Sequence, residues 1–246
     1  MLKLIKSNKK NFLTKLDLIL QERKLKNPKV DLKIKKIIQD IRRNKDIALI
    51  KYEKKYSKLK SISLSKIKFT NSEKKKIIKK LDKKTKNSID LAFNRIFYFH
   101  KRQKLSSYSF KDKYKNFFAY KSIALNRIGV YVPGGRASYP SSVLMNCVPA
   151  LVAGVKEIYM TTPAMNKFYN PAVIYAAQKC KVKEIYKIGG AQAIAAMTYG
   201  TKTIQKVDKI VGPGNIFVTS AKKQVFGEVG IDMIAGPSEV TIIADK

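Results

Sequence analysis

The chain has 246 residues, 45% of them hydrophobic, with 52 Lys and Arg against 17 Asp and Glu and a formal charge of +35. This is enough length and apolar content for one large domain or two ordinary ones with a buried core, so a folded globular protein is expected. Lysines interrupt the apolar residues of positions 1–20, no apolar stretch can span a bilayer, and Cys147 and Cys180 both sit in apolar segments. These features argue against a signal peptide, a membrane anchor and a disulfide framework, and they point to the cytoplasm.

The charge is uneven: residues 1–125 hold 38 of the 52 basic residues and 10 of the 17 acidic ones. A basic chain of this kind invites a nucleic-acid reading. Only seven of the basic residues are Arg, however, and the lysines are spread over every predicted helix. Phosphate and base readout usually recruits the forked guanidinium, so a solvated lysine coat is favoured over a nucleic-acid footprint.

In chain order, Ile34, Ile37, Ile38 and Ile41 recur at helical spacing, and Ala48, Leu49, Tyr52 and Tyr56 continue it after a break at Asn44–Asp46. The pattern predicts two amphipathic helices. Ile62, Leu64, Ile67 and Phe69 read as a short strand, and Thr70 with Glu73 has capping-box spacing ahead of one long helix ending near Lys104. The polar, aromatic-dotted stretch 106–120 reads as a connection.

All twelve glycines lie between Gly129 and Gly236, and seven of eight prolines lie at or beyond Pro133. That shift marks an architectural boundary near residues 125–130. From Ile128 the chain alternates β-branched runs (128–132, 157–161, 184–188, 209–211 and 240–244) with helical segments (141–153, 171–179, 191–199 and 215–226). Strands alternating with helices long enough to cross over predict a parallel α/β sheet whose ligands bind at one edge.

Three glycine turns fall on that edge: Pro133-Gly134-Gly135-Arg136, Gly189-Gly190-Ala191-Gln192 and Gly212-Pro213-Gly214-Asn215. Glycine lets the backbone approach a ligand closely, and the helix that follows offers unpaired N–H groups to an anion. None of the three has the G-x-G-x-x-G spacing of the standard dinucleotide fingerprint. Each taken alone also reads as a tight turn, with Tyr131 a core aromatic and Gln192 and Asn215 helix N-caps.

The segments Ile128-Gly-Val-Tyr-Val-Pro-Gly-Gly135, Pro140-Ser-Ser-Val-Leu-Met-Asn146, Gly189-Gly-Ala-Gln-Ala-Ile194, Val211-Gly-Pro-Gly-Asn215 and Ile231-Asp-Met-Ile-Ala-Gly-Pro-Ser-Glu-Val240 together resemble, in order, the motifs of histidinol dehydrogenases. The resemblance is dense from about residue 123 to Lys246 and looser upstream, and it covers the N-terminal and central portions of the family. Leu151 stands where the family usually has a basic residue.

The resemblance implies oxidation of L-histidinol to L-histidine in two hydride transfers to NAD, with one zinc ion in each active site of an intertwined homodimer. Mapped residue by residue, it implies NAD contacts for Tyr131, Gln192 and Asn215 and a substrate contact for Ser238. The zinc ligands and the catalytic Glu–His pair are implied to lie beyond Lys246, so no catalytic or metal-binding residue is assigned within the chain, which is expected to be inactive alone. His100, the only histidine, falls on a predicted helix far from the motifs, and two cysteines cannot complete a zinc site.

The fold expected is α/β, a Rossmann-like parallel-sheet domain at 130–237 preceded by a helical, lysine-rich region at 1–129. Residues 238–246 are expected to begin the return to the first domain. Two alternatives remain open, a lysine-rich nucleic-acid-binding protein and a dinucleotide-binding module without catalysis.

Overall fold

Continuous β-branched runs are the signature of strands buried on both faces, because crossover helices cover each side of a parallel sheet. The computed structural model describes residues 5, 10–22, 28–57, 63–134, 139–163, 169–234, 242 and 244. In it, β3 (Arg127–Tyr131), β4 (Glu157–Thr161), β5 (Glu184–Tyr186), β6 (Lys209–Val211) and β7 (Gly230–Ile231) form one parallel sheet in the order β5-β4-β3-β6-β7. The chain steps outward from β3 to β5, then returns to place β6 on the other side of β3. The reversal leaves a crevice at the carboxyl ends of β3 and β6, where ligands of such sheets bind.

The helices between strands are α6 (Pro140–Ala153), α7 (Pro171–Lys179), α8 (Gly190–Tyr199) and α9 (Ile216–Val225). Strand alternation sends Ile128, Val130, Ile158, Met160 and Ile185 into one core with α6 and α7, while Tyr131, Tyr159, Tyr186 and Ile210 enter a second core with α8 and α9. The first core is capped by α4 (Asn71–Ile78) and α5 (Lys83–Lys101), which pack on α7 and on α6 and α7 respectively. The second is capped by α2 (Pro28–Tyr56), which lays Ile34, Ile37, Ile38, Ile41, Ala48 and Leu49 against α8 and α9. Upstream, α1 spans Phe12–Glu22.

The break expected at Asn44–Asp46 is a kink inside α2 at Lys45, which holds φ 48° and ψ −124°. Two contacts explain it. The Lys45 ammonium donates to the carbonyls of Tyr199 and Gly200, each at 3.2 Å, and so satisfies the C-terminus of α8. Asp46 accepts the Thr203 N–H at 3.2 Å.

Three expectations need correction. Residues 64–67 form a one-turn helix, α3, instead of a strand; Ile62 lies outside the described residues. The backbone around α3 still meets the sheet edge, because Phe69 N–H donates to Ile185 and Lys187 N–H to Ile67, at 3.0 and 2.7 Å. The long helix is two, since Asp82 accepts the Thr85 N–H at 2.8 Å and starts α5 afresh; it ends at Lys101. The connection at 106–120 contains a hairpin of β1 (Tyr108–Lys111) and β2 (Phe117–Tyr120), paired antiparallel. The capping box of Thr70 and Glu73 is present, and the second carboxylate oxygen of Glu73 accepts from Lys187 at 2.7 Å. Of the strand expected at 240–244, only residues 242 and 244 are among the described residues.

Candidate nucleotide cleft

Tyr131, Gln192 and Asn215 are far apart in sequence, yet all three line one cleft of about 340 Å³ at the carboxyl edge of the sheet. Sheet order brings them together: Tyr131 ends β3, Gln192 sits in the first turn of α8 after β5, and Asn215 precedes α9 after β6. The opposite wall comes from α2, through Lys33, Glu53 and Tyr56. Phe217 stands at the start of α9, and the Lys33 ammonium lies 5.0 Å from the Tyr56 ring centre and 5.7 Å from that of Phe217. The result is a cation held between two aromatic walls.

Tyr131 is buried, and its hydroxyl accepts the Gly190 N–H at 3.0 Å, tying the end of β3 to the turn before α8. Burial pushes its phenol up to about 12. Asn215 is the N-cap of α9: its Oδ1 accepts the N–H groups of Phe217 and Val218 at 3.1 and 3.2 Å. Gln192 is not a cap, since Gly189 holds that position. It is buried, and its Nε2 donates to Glu53 at 2.9 Å.

Two glycines are required by the geometry. Gly190 has φ +65°, and a Cβ there would lie 2.8 Å from Oε1 of Gln192. Gly212 has φ +111°, and its Cβ would lie 2.1 Å from the Tyr131 carbonyl oxygen. No side chain fits at either position without displacing a wall of the cleft.

The third turn is held from behind. Lys222, buried on α9, donates to the Gly212 carbonyl at 3.1 Å and pairs with Asp232. Asp232 in turn accepts the Gly212 N–H at 2.8 Å. Both backbone groups of Gly212 are thus satisfied by one ion pair.

Sequence reasoning missed Glu53 and Lys222, although a signal was present. Leu49, Tyr52, Glu53 and Tyr56, and likewise Val218, Ala221, Lys222 and Val225, have the i, i+3, i+4, i+7 spacing of a buried helix face. A charged residue at such a position needs a partner, and both have one.

Ser238, Gly135 and Arg136 lie outside the described residues. His100 is away from the cleft on α5, with Nδ1 2.7 Å from Gln103 Oε1. Cys147 and Cys180 are buried, and the Cys147 thiol is pushed well up by its contact with Cys180 and by burial. Among the described residues no group of three or more His, Cys, Asp or Glu could hold a metal ion, and none of the helices is long and apolar enough to cross a membrane.

Comparison with known proteins bears on the family and the fold. The family model described as histidinol dehydrogenase matches residues 20–246. The chain is 53% identical to the histidinol dehydrogenase of Pelagibacter ubique, over 100% of this chain and 56% of that protein. It is 40% identical to that of Hydrogenovibrio crunogenus, over 98% of this chain and 56% of the relative. The crystal structure of histidinol dehydrogenase from Elizabethkingia anophelis superposes with a TM-score of 0.78 at 39% identity, covering 83% of this chain and 47% of that one. The chain spans about half the length of the curated relatives it matches. With the family model matching from residue 20 onward and both sequence and fold in accord, the chain belongs to the histidinol dehydrogenase family.

Proposed function

We propose that the cleft is the NAD site of a zinc-dependent histidinol dehydrogenase, a cytoplasmic homodimer that oxidises L-histidinol to L-histidine through the aldehyde. The observation that carries this reading is the convergence of Tyr131, Gln192 and Asn215 on one cleft at the sheet's point of chain reversal. Domain limits at about 130 and 237, and a substrate contact for Ser238, belong to the same reading.

The residues present suit a dinucleotide. The N-terminal ends of α8 and α9 bring their partial positive charge to the cleft and Lys33 brings a full one, which suits a pyrophosphate. Tyr56 and Phe217 supply flat apolar walls for a base. The Asn215 cap uses only Oδ1, which leaves the Nδ2 hydrogens as donors toward a ligand. Bound NAD would supply the hydride acceptor; the chain's own residues bind and orient it. The described residues do not fit a zinc site, so the metal would be held by residues other than those described.

Titration of the chain with NAD, followed by calorimetry, tests the reading. Gln192→Ala should weaken binding several-fold, since a side-chain hydrogen bond contributes about 0.5–1.5 kcal/mol. Asn215→Asp should preserve the α9 cap while removing the donor and adding a negative charge, so it should lose affinity with little change in melting temperature. Absent NAD binding, or an Asn215→Asp variant that binds as well as the wild type, would refute the assignment. With zinc, NAD and histidinol supplied, the chain alone should produce no NADH; turnover would mean that the catalytic groups have been misplaced.

A further inference from the structure

Glu53 is the acidic residue of the cleft lining among the described residues. It is buried on α2, and its partners are the Gln192 amide, at 2.9 Å, and the Gly189 backbone N–H. Gln192 and Gly189 both belong to the turn that opens α8, so the carboxyl group links the α2 wall to that turn across 139 residues of sequence. The amide nitrogen of Gln192 faces Glu53, and its oxygen lies over the Gly190 backbone.

We propose that Glu53 is a positioning residue of this cleft, whose carboxyl group holds the Gln192 amide in place and takes up a proton from solvent when an anionic dinucleotide fills the cleft. The inference rests on the cleft being the nucleotide site. Burial already pushes the carboxyl up to about 7, against the two hydrogen bonds that favour its charged form. A bound dinucleotide removes the remaining water and brings negative phosphates, and both effects favour the neutral acid. The amide keeps its partner after protonation, because the carbonyl oxygen of a carboxylic acid still accepts from Nε2.

The surrounding groups leave the proton to Glu53. From its own helix the cleft receives Lys33 and Tyr56 and from the end of β3 Tyr131, while Tyr169, in the segment before α7, lies within reach of the Glu53 charge. Tyr131 and Tyr169 are pushed above their ordinary value by burial and by the charge of Glu53, and Tyr169 also by Glu73, so neither ionises near neutrality. From α8 the facing group is the uncharged Gln192 amide, and from α9 Lys222 is turned to Gly212 and Asp232.

The test is calorimetric titration of the chain with NAD+ at about pH 6, 7 and 8, in buffers of different ionisation enthalpy, for the wild type, Glu53→Gln and Glu53→Ala. Circular dichroism checks that each variant is folded. The wild type should bind roughly five- to tenfold tighter at the lowest pH than at the highest, with net proton uptake at the highest. Glu53→Gln, shaped like the neutral acid and able to accept from Gln192, should bind with pH-independent affinity close to the wild type at low pH and without proton uptake. Glu53→Ala leaves the amide unheld and should bind more weakly than Glu53→Gln throughout; if it does not fold, the Gln variant decides alone. Wild-type binding without proton uptake, or uptake that persists in Glu53→Gln, overturns this inference and leaves the NAD site standing. A wild type that binds no NAD at any pH overturns both.

Discussion

Replacing Lys222 by Met tests how the Gly212 turn is held. Methionine keeps the unbranched apolar stem inside α9 and removes only the ammonium. The Gly212 carbonyl then loses its donor, and leaving a buried acceptor unpaired costs about 1–3 kcal/mol. The other consequence is smaller than for a fully buried pair. The Asp232 side chain is 28% exposed and still accepts the N–H groups of Gly212 and Met233 at 2.8 Å each, so water and backbone retain most of its stabilisation. A total of about 2–3 kcal/mol follows, below the roughly 3–5 kcal/mol of breaking a fully buried pair. Urea unfolding read by circular dichroism should show a lower midpoint with an unchanged slope. Since Asp232→Asn removes the same ion pair, the double variant should lose less than the sum of the single losses. A loss under about 0.5 kcal/mol, or strict additivity with Asp232→Asn, would refute the view that this pair holds the turn.

Glu53 makes stability fall as pH rises. Its folded-state value of about 7 lies above its ordinary 4.5, so the stabilisation from the neutral form is full below about 4.5 and is lost as pH passes through about 7. Glu53→Gln should therefore be more stable than the wild type at pH 8, by about 3 kcal/mol at most, and the gain should vanish near pH 4.5 in paired thermal melts. Gly212→Ala should lose about 2 kcal/mol or more by urea unfolding and should abolish NAD binding, because its positive φ and the Tyr131 carbonyl leave no room for a Cβ. DNA and RNA should bind weakly and without sequence preference, with affinity falling steeply as salt rises in a filter or anisotropy titration; a sequence-specific complex at physiological salt would contradict the lysine-coat reading.

What was legible follows from burial. The strands β3, β4 and β6 and the helices α6 to α9 match their expected limits within about a residue at each end, because each is an apolar run closed by a glycine, a proline or a cap. The hairpin at 108–120 was invisible for the opposite reason. All eight of its strand residues are exposed, so no buried face imposes an alternation. It is marked instead by cross-strand ring pairs, Tyr108 on Tyr120 and Phe110 on Phe118 at 5.5 and 5.2 Å, a signal that appears only once the pairing is known. The segment 64–69 misled for a third reason. Ile67 and Phe69 are buried two residues apart as in a strand, but Ile67 ends a helical turn that brings the chain to the sheet edge.

The site divides along the same line. Tyr131, Gln192 and Asn215 each make a contact that a purely structural residue would make: a hydroxyl on a turn, an amide on a buried acid and a cap. These contacts do not compete with ligand binding, because each uses only part of the side chain's capacity. Asn215 spends its oxygen on the α9 cap and keeps its amide hydrogens, whereas Gln192 turns its nitrogen to Glu53 and its oxygen away from it. The internal bonds thereby give each amide a fixed polarity, which a solvated Asn or Gln would lack. On the proposed reading, a ligand in the cleft would meet a donor at Asn215 and an amide already oriented at Gln192. If the cleft is the nucleotide site as proposed, the packing that makes these residues look merely structural would preorganise them for recognition.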